Sequence, residues 1–189
     1  MNTPAHLIFG TAAFGKPGNA RVTIAAVLGS LAPDISLYVM VSWSIFVAGV
    51  NPNLVFGEYY YSSTWQQVFA VDNSFVLWGL GLGLAMGARR PAFIAFASAG
   101  LLHLAFNFPV HNHDARMHFW PLSDWVFVSP ISYWERLFHA GIVSPIELML
   151  ALGFVGVLFY RFRRISSRAL IIIAAALEIL ATRAFSWFF

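Results

Sequence analysis

A chain of 189 residues that is 59% hydrophobic and only 10% charged lacks the surface of a soluble domain, where about a quarter of residues carry charge. It contains no cysteine, which excludes disulfides, thiolate metal sites and a cysteine nucleophile, and leaves nitrogen and oxygen as metal ligands. Its net charge of +3 does not point to nucleic acid, because the arginines gather in short turns between apolar runs, where positive-inside topology accounts for them.

In chain order, the segment from Thr3 to Gly15 is apolar but too short to cross a bilayer, since a spanning helix needs about 20 residues. No basic flank or small-residue cleavage site marks it as a removable signal peptide, so it is expected to remain as an N-terminal half-helix with a buried Met1 end. Val22 to Val50 is a long run interrupted only by Pro33-Asp34. Val71 to Ala88 and Pro91 to Phe108 flank a tight turn at Arg89-Arg90, and Ile142 to Tyr160 and Ala169 to Phe189 flank a second basic turn. No repeat, linker or low-complexity tract divides these runs, which predicts one all-α domain, residues 1–189, with five transmembrane helices.

Five spans put Lys16 and Arg21, Arg89 and Arg90, and the arginines of 161–168 on one face, expected to be cytoplasmic. The opposite face receives residues 51–70 and the loop 109–141. Both are rich in the tyrosine and tryptophan of an interfacial belt: Tyr59, Tyr60, Tyr61, Trp65, Trp120, Trp125, Tyr133 and Trp134. Glu58, Asp72, Asp114, Asp124 and Glu135 fall on or beside that face.

Ionisable groups inside a span cost about 2.5–3.5 kcal/mol each and imply a partner or a function. His6, Asp34 and His103 lie at similar distances along their segments from Lys16, Arg21 and Arg90, so helix geometry sets all three roughly 15–20 Å from the basic face. Beyond His103 the chain carries Asn107, then His111, His113, Asp114 and His118. Neutral imidazole with carboxylate is ligand chemistry for Zn²⁺, Mn²⁺ or Fe²⁺, and a bound metal lowers the pKa of a water toward neutrality. Blander roles stand beside this one. His6 bonding to a neighbouring helix, Asp34 capping the turn after Pro33, and a solvated His113 or His139 would each be ordinary. Glu178 and Arg183 read as a structural pair or as snorkelling side chains, and Glu147 lies near the outer face.

Pro4-Ala-His6 with Gly10, Leu31-Ala-Pro33-Asp34, His103-Leu-x-x-Asn107 and Trp120-Pro121-Leu122-Ser123 together resemble the YdjM-type inner-membrane metal-dependent hydrolases. That family carries an early His, Leu-Pro-Asp-x-Asp, His-Arg-x-x-Thr-His-Ser, and His-x-x-x-Asp leading into Trp-Pro-Phe-Ser. Here Ser36 replaces the second aspartate, Asn107 replaces the family's Asp, and Asp72-Asn73-Ser74 stands as a remnant of the missing histidine element. Similar sequences bear a CobQ-type cobalamin-biosynthesis name, but this one has no cysteine for amidotransfer and no glycine-rich phosphate loop.

The resemblance implies a bacterial inner-membrane protein whose loop 109–141 is periplasmic. The expected metal ligands are His6, Asp34 and His103, completed by His111, His113, Asp114 or His118. Asp72 is the expected general base or extra ligand, and Asn107 the group that orients water or substrate. The implied cofactor is a divalent cation, foremost zinc, and the implied reaction is hydrolysis of an ester or phosphoester of a lipid-like substrate. A metal or small-solute transporter, and a non-catalytic scaffold with a degraded metal site, are the alternatives.

Overall fold

The computed structural model describes residues 1–188, with side chains through Arg183; of the expected last span, Ala169 to Phe189, only Phe189 lies outside the described residues. Among the described residues nine α-helices follow one another: α1 Thr3–Phe14, α2 Ala20–Leu31, α3 Ile35–Ser42, α4 Pro52–Leu54, α5 Ser63–Asp72, α6 Phe75–Gly87, α7 Pro91–Asn107, α8 Ala140–Arg161 and α9 Ile165–Phe188. Short 3-10 and π turns join some of them. The protein is an all-α membrane bundle. Among the described residues five segments are long and apolar enough to cross a bilayer: Ala20–Val47, Ser63–Gly87, Pro91–Val110, Ala140–Arg161 and Ile165–Arg183.

The second span starts earlier than the apolar run Val71 to Ala88 implies. Ser62 accepts the Trp65 N–H and starts α5, which runs to Asp72. The chain breaks at Asn73, and Ser74 caps α6 by accepting the Leu77 N–H. Trp65, expected in the interfacial belt, is instead buried with Val55 and Phe69. That packing lets the polar start of α5 continue as helix.

In the first span, Pro33 has no N–H to give, and the turn Ala32–Asp34 tightens to 3-10, with Ile35 N–H returning to the Ala32 carbonyl. The helix resumes as α3 and ends in a π turn, Trp43–Val47. Asp34 sits at the break and makes no capping bond.

Helix α1 lies against α2, α7, α8 and α9. Its Ala5, Ile8, Phe9 and Ala12 share a core with Ala151 and Leu158 of α8 and Ile171 of α9. A half-helix ending inside a bilayer must find partners for its first amides. Glu147 of α8 accepts the Asn2 N–H at 2.6 Å, and Glu178 of α9 accepts from Asn2 Nδ2 at 3.3 Å. Thr182 also donates to Glu178, so Glu147 and Glu178 anchor the α1 terminus. Arg161 closes the other end, donating to the carbonyls of Ala12 and Gly15.

Close approach of α2 and α7 depends on Gly29, where any Cβ would overlap the backbone of Phe96. Gly10 gives Ser30 the same room between α1 and α2. These contacts bring His6, Asp34 and His103 to one level of the bundle.

Candidate functional site

His6 from α1 and His103 from α7 stack face to face, ring centroids 3.6 Å apart and planes within 12°. His103 Nδ1 lies 2.8 Å from the Ser30 carbonyl, so that nitrogen carries the proton. Its Nε2 accepts from Asn107 Nδ2 at 2.8 Å and stands 3.6 Å from Asp34 Oδ1. Asn107 Oδ1 in turn accepts from His6 Nε2 at 2.9 Å and from the Met1 amine at 2.8 Å. His6 Nδ1 is buried and has no hydrogen-bond partner among the described residues. Asn107 thus joins both imidazoles and the start of α1 through one amide.

A cavity of about 340 Å³ lies in front of this core. Asp34, Tyr38, Tyr60, Asn107, His111, Asp114, Arg116 and Tyr133 are among its walls. His111 Nδ1 donates to Asp114 Oδ2 at 2.8 Å, and its Nε2 lies 3.4 Å from the Met1 amine. Trp134 Nε1 donates to the same carboxylate oxygen at 3.2 Å, while Asp114 Oδ1 is buried without a partner. Burial holds His111 below the usual imidazole range, against the pull of Asp114. Asp114 is itself buried, which opposes ionisation, yet the His111 ring and the Arg116 guanidinium hold its carboxyl below the usual carboxylate value.

Arg116 is the residue sequence reasoning passed over. Only 7% exposed, it lies over Phe69 with its Cζ 4.2 Å from the ring centre, and Nη2 donates to the Tyr60 hydroxyl at 3.0 Å. Among the described residues its Nη1 is buried without a partner. Tyr60 is pushed up to about 12 by burial, so it stays a neutral hydroxyl beside the guanidinium. The available signal was a lone arginine between Asp114 and His118, away from every basic turn.

Other expected site residues lie elsewhere. Asp72 faces a different cavity of about 340 Å³, walled by Leu77, Trp78, Phe93 and Phe96, and its Oδ2 is buried without a partner. His113 is largely exposed at its side chain and pairs with Glu135. His118 packs on Phe75 and Phe108, and its Nδ1 donates to the Arg116 carbonyl at 2.9 Å. Burial brings His118 down to about 4. Ser36 Oγ is buried without a partner, and His139 is exposed.

The neighbours of Asp72 hold the site together. Asn73 Nδ2 donates to the Pro33 carbonyl at 3.1 Å, fixing the break that carries Asp34. Ser74 donates to the Trp120 carbonyl, and Phe75 N–H to that of His118 at 2.8 Å, fixing the loop that carries Asp114 and Arg116.

Among the described residues, no group of three or more His, Asp or Glu side chains stands ready to enclose a metal ion. The Asn107 amide bridges the two imidazoles, and Asp34 stands 3.6 Å from His103. The donor set nevertheless suits a cation: tetrahedral zinc with bonds of about 2.0–2.1 Å separates its ligands by roughly 3.4 Å, close to the 3.6 Å between His103 and Asp34.

Fold and site together define a multi-pass helical membrane protein with a polar cavity walled by histidine, carboxylate and arginine. Set against known proteins, the chain matches no family model, no curated protein and no solved structure.

Proposed function

We propose that the cavity hydrolyses a phosphoester of a lipid-like substrate with the help of a divalent cation, as the resemblance to the YdjM-type hydrolases implies. The observation that carries this reading is the pairing, on one cavity, of a His111–Asp114 dyad with an arginine whose Nη1 has no partner. Buried polar groups left unpaired are rare, and guanidinium is matched in shape and charge to phosphate oxygens.

Each group then has a task. His111 donates Nδ1–H to Asp114, which fixes the ring and leaves Nε2 as the base that takes a proton from water. Asp114 stabilises the resulting imidazolium, which returns the proton to the departing alkoxide as the P–O ester bond breaks. Arg116 holds a phosphoryl oxygen through Nη1, and the Asn107 amide orients the attacking water or the substrate. His6, Asp34 and His103 would hold the cation, which supplies Lewis acidity and a more acidic water. The apolar groups around the cavity admit an acyl-bearing substrate from the bilayer. In this reading the chain belongs to a bacterial cytoplasmic membrane, its basic turns are cytoplasmic and the site faces the periplasm.

The test is turnover of a chromogenic phosphodiester by purified protein, alongside metal analysis. Wild type is expected to hold stoichiometric zinc, manganese or iron and to turn the probe over. Asp114→Asn and Arg116→Gln are expected to keep the metal and lose at least a hundredfold in rate. His103→Ala and Asp34→Ala are expected to lose both. The Asn107 bridge favours one other reading, a scaffold that no longer takes metal. Metal at background level with no turnover would establish the scaffold and end the hydrolase proposal.

A further inference from the structure

The basic end of the bundle carries a second feature, independent of the site above. The turn between α1 and α2 and the turn between α8 and α9 enclose a cavity of about 530 Å³ walled by Lys16, Arg161, Arg163 and Arg164. Arg161 is committed to the α1 carbonyls. Lys16, Arg163 and Arg164 are exposed, and among the described residues none of them pairs with a carboxylate. Positive-inside topology accounts for cations in these turns but not for their arrangement around a hollow. Helices α2 and α9 also begin here, at Ala20 and Ile165, and bring the positive ends of their dipoles to the same place.

Directly below lies an apolar slot of about 310 Å³ between α1, α2, α8 and α9. Thr23, Phe162 and Ser167 wall both spaces, so the slot continues the basic cavity toward the middle of the membrane. Leu170, Ile173 and Leu177 line it and are themselves about half or more exposed, which opens the slot sideways to lipid. A charged chamber at headgroup level running into a hydrocarbon-lined slot is complementary to one kind of molecule.

We propose that this composite cavity binds an anionic phospholipid, with its phosphate among Lys16, Arg163 and Arg164 and an acyl chain along Leu170, Ala174 and Leu177. Free phosphate satisfies only the upper chamber, and a zwitterionic lipid places its own cation among three others. Basic pockets between membrane helices hold acidic headgroups for this reason.

Native mass spectrometry of the full chain in detergent tests this, using phosphatidylglycerol and phosphatidylcholine of identical acyl chains. Wild type is expected to retain one phosphatidylglycerol in preference to phosphatidylcholine. Arg163→Gln with Arg164→Gln removes two exposed charges that close no helix and is expected to weaken phosphatidylglycerol roughly thirtyfold. Ala174→Phe, which fills the slot, is expected to weaken both lipids. Added inorganic phosphate is expected not to displace the lipid. Equal retention of the two lipids, an unchanged affinity in the double variant, or displacement by phosphate would each overturn the proposal. A circular-dichroism melt matching wild type shows that each variant is folded.

Discussion

Replacing Asn107 with leucine tests whether one amide holds the centre of the bundle together. The change keeps side-chain volume close to constant and removes three buried hydrogen bonds: from the Met1 amine at 2.8 Å, from His6 at 2.9 Å and to His103 at 2.8 Å. The Met1 amine keeps His111 Nε2 at 3.4 Å and His103 keeps Asp34 at 3.6 Å, so two of the three groups retain some contact. His6 does not, since its other nitrogen already lacks a partner. A buried polar group left unpaired costs about 1–3 kcal/mol, and more when charged, which puts the total for Asn107→Leu at about 3–5 kcal/mol. The assay is unfolding in mixed micelles by titrated dodecyl sulfate, followed by tryptophan fluorescence. Asn107→Asp serves as the control. It keeps the oxygen that accepts from Met1 and His6, so a smaller loss than that of the leucine variant is expected. An Asn107→Leu protein within about 1 kcal/mol of wild type would refute the assignment of Asn107 as the joint between α1 and α7.

Other outcomes follow from the same contacts. Glu147→Leu leaves the Asn2 N–H inside the bundle without its acceptor, and a loss of about 1–3 kcal/mol is expected in the same unfolding assay, whereas Glu147→Gln, which keeps an acceptor oxygen, stays closer to wild type. Gly29→Val drives a side chain into the Phe96 backbone, and a loss of at least about 1–3 kcal/mol is expected, visible as a lower thermal midpoint. His118 is held neutral by burial down to about 4, against an ordinary value of 6.5. As pH falls below 6.5 the unfolded chain takes a proton that the folded chain refuses, so stability drops until pH reaches about 4, by on the order of 3 kcal/mol. A His118→Phe protein is expected to lose that slope in unfolding curves measured between pH 7 and pH 4. Asn107→Asp, which sets a carboxylate between the two imidazoles, is expected to raise zinc affinity in a competition titration with a chromogenic chelator.

The parts of this molecule legible in its sequence are those governed by transfer into lipid. Apolar length set the five spans, and the short run before Lys16 read as a half-helix because its length alone forbids a crossing. The common level of His6, Asp34 and His103 was legible too, since rise per residue converts sequence distance into depth. What was not legible is direction around each helix axis and the path of the irregular loop. Four histidines within His103 to His118 give no hint that His111 turns toward Asp114 while His113 turns away to Glu135. Asp72 drew attention as the acid of a remnant motif, yet the neighbouring Asn73 and Ser74 are the residues that reach the two chains bearing Asp34 and Asp114. An uncharged donor carries no transfer penalty large enough to mark it in a sequence, but inside a bundle it fixes where a charged neighbour points. Arg116 went unremarked for a related reason: in a loop, an arginine looks solvated until the fold lays it on Phe69 and Tyr60. The burial of that guanidinium beside the His111–Asp114 pair, more than the histidine count, is what the phosphoester proposal rests on.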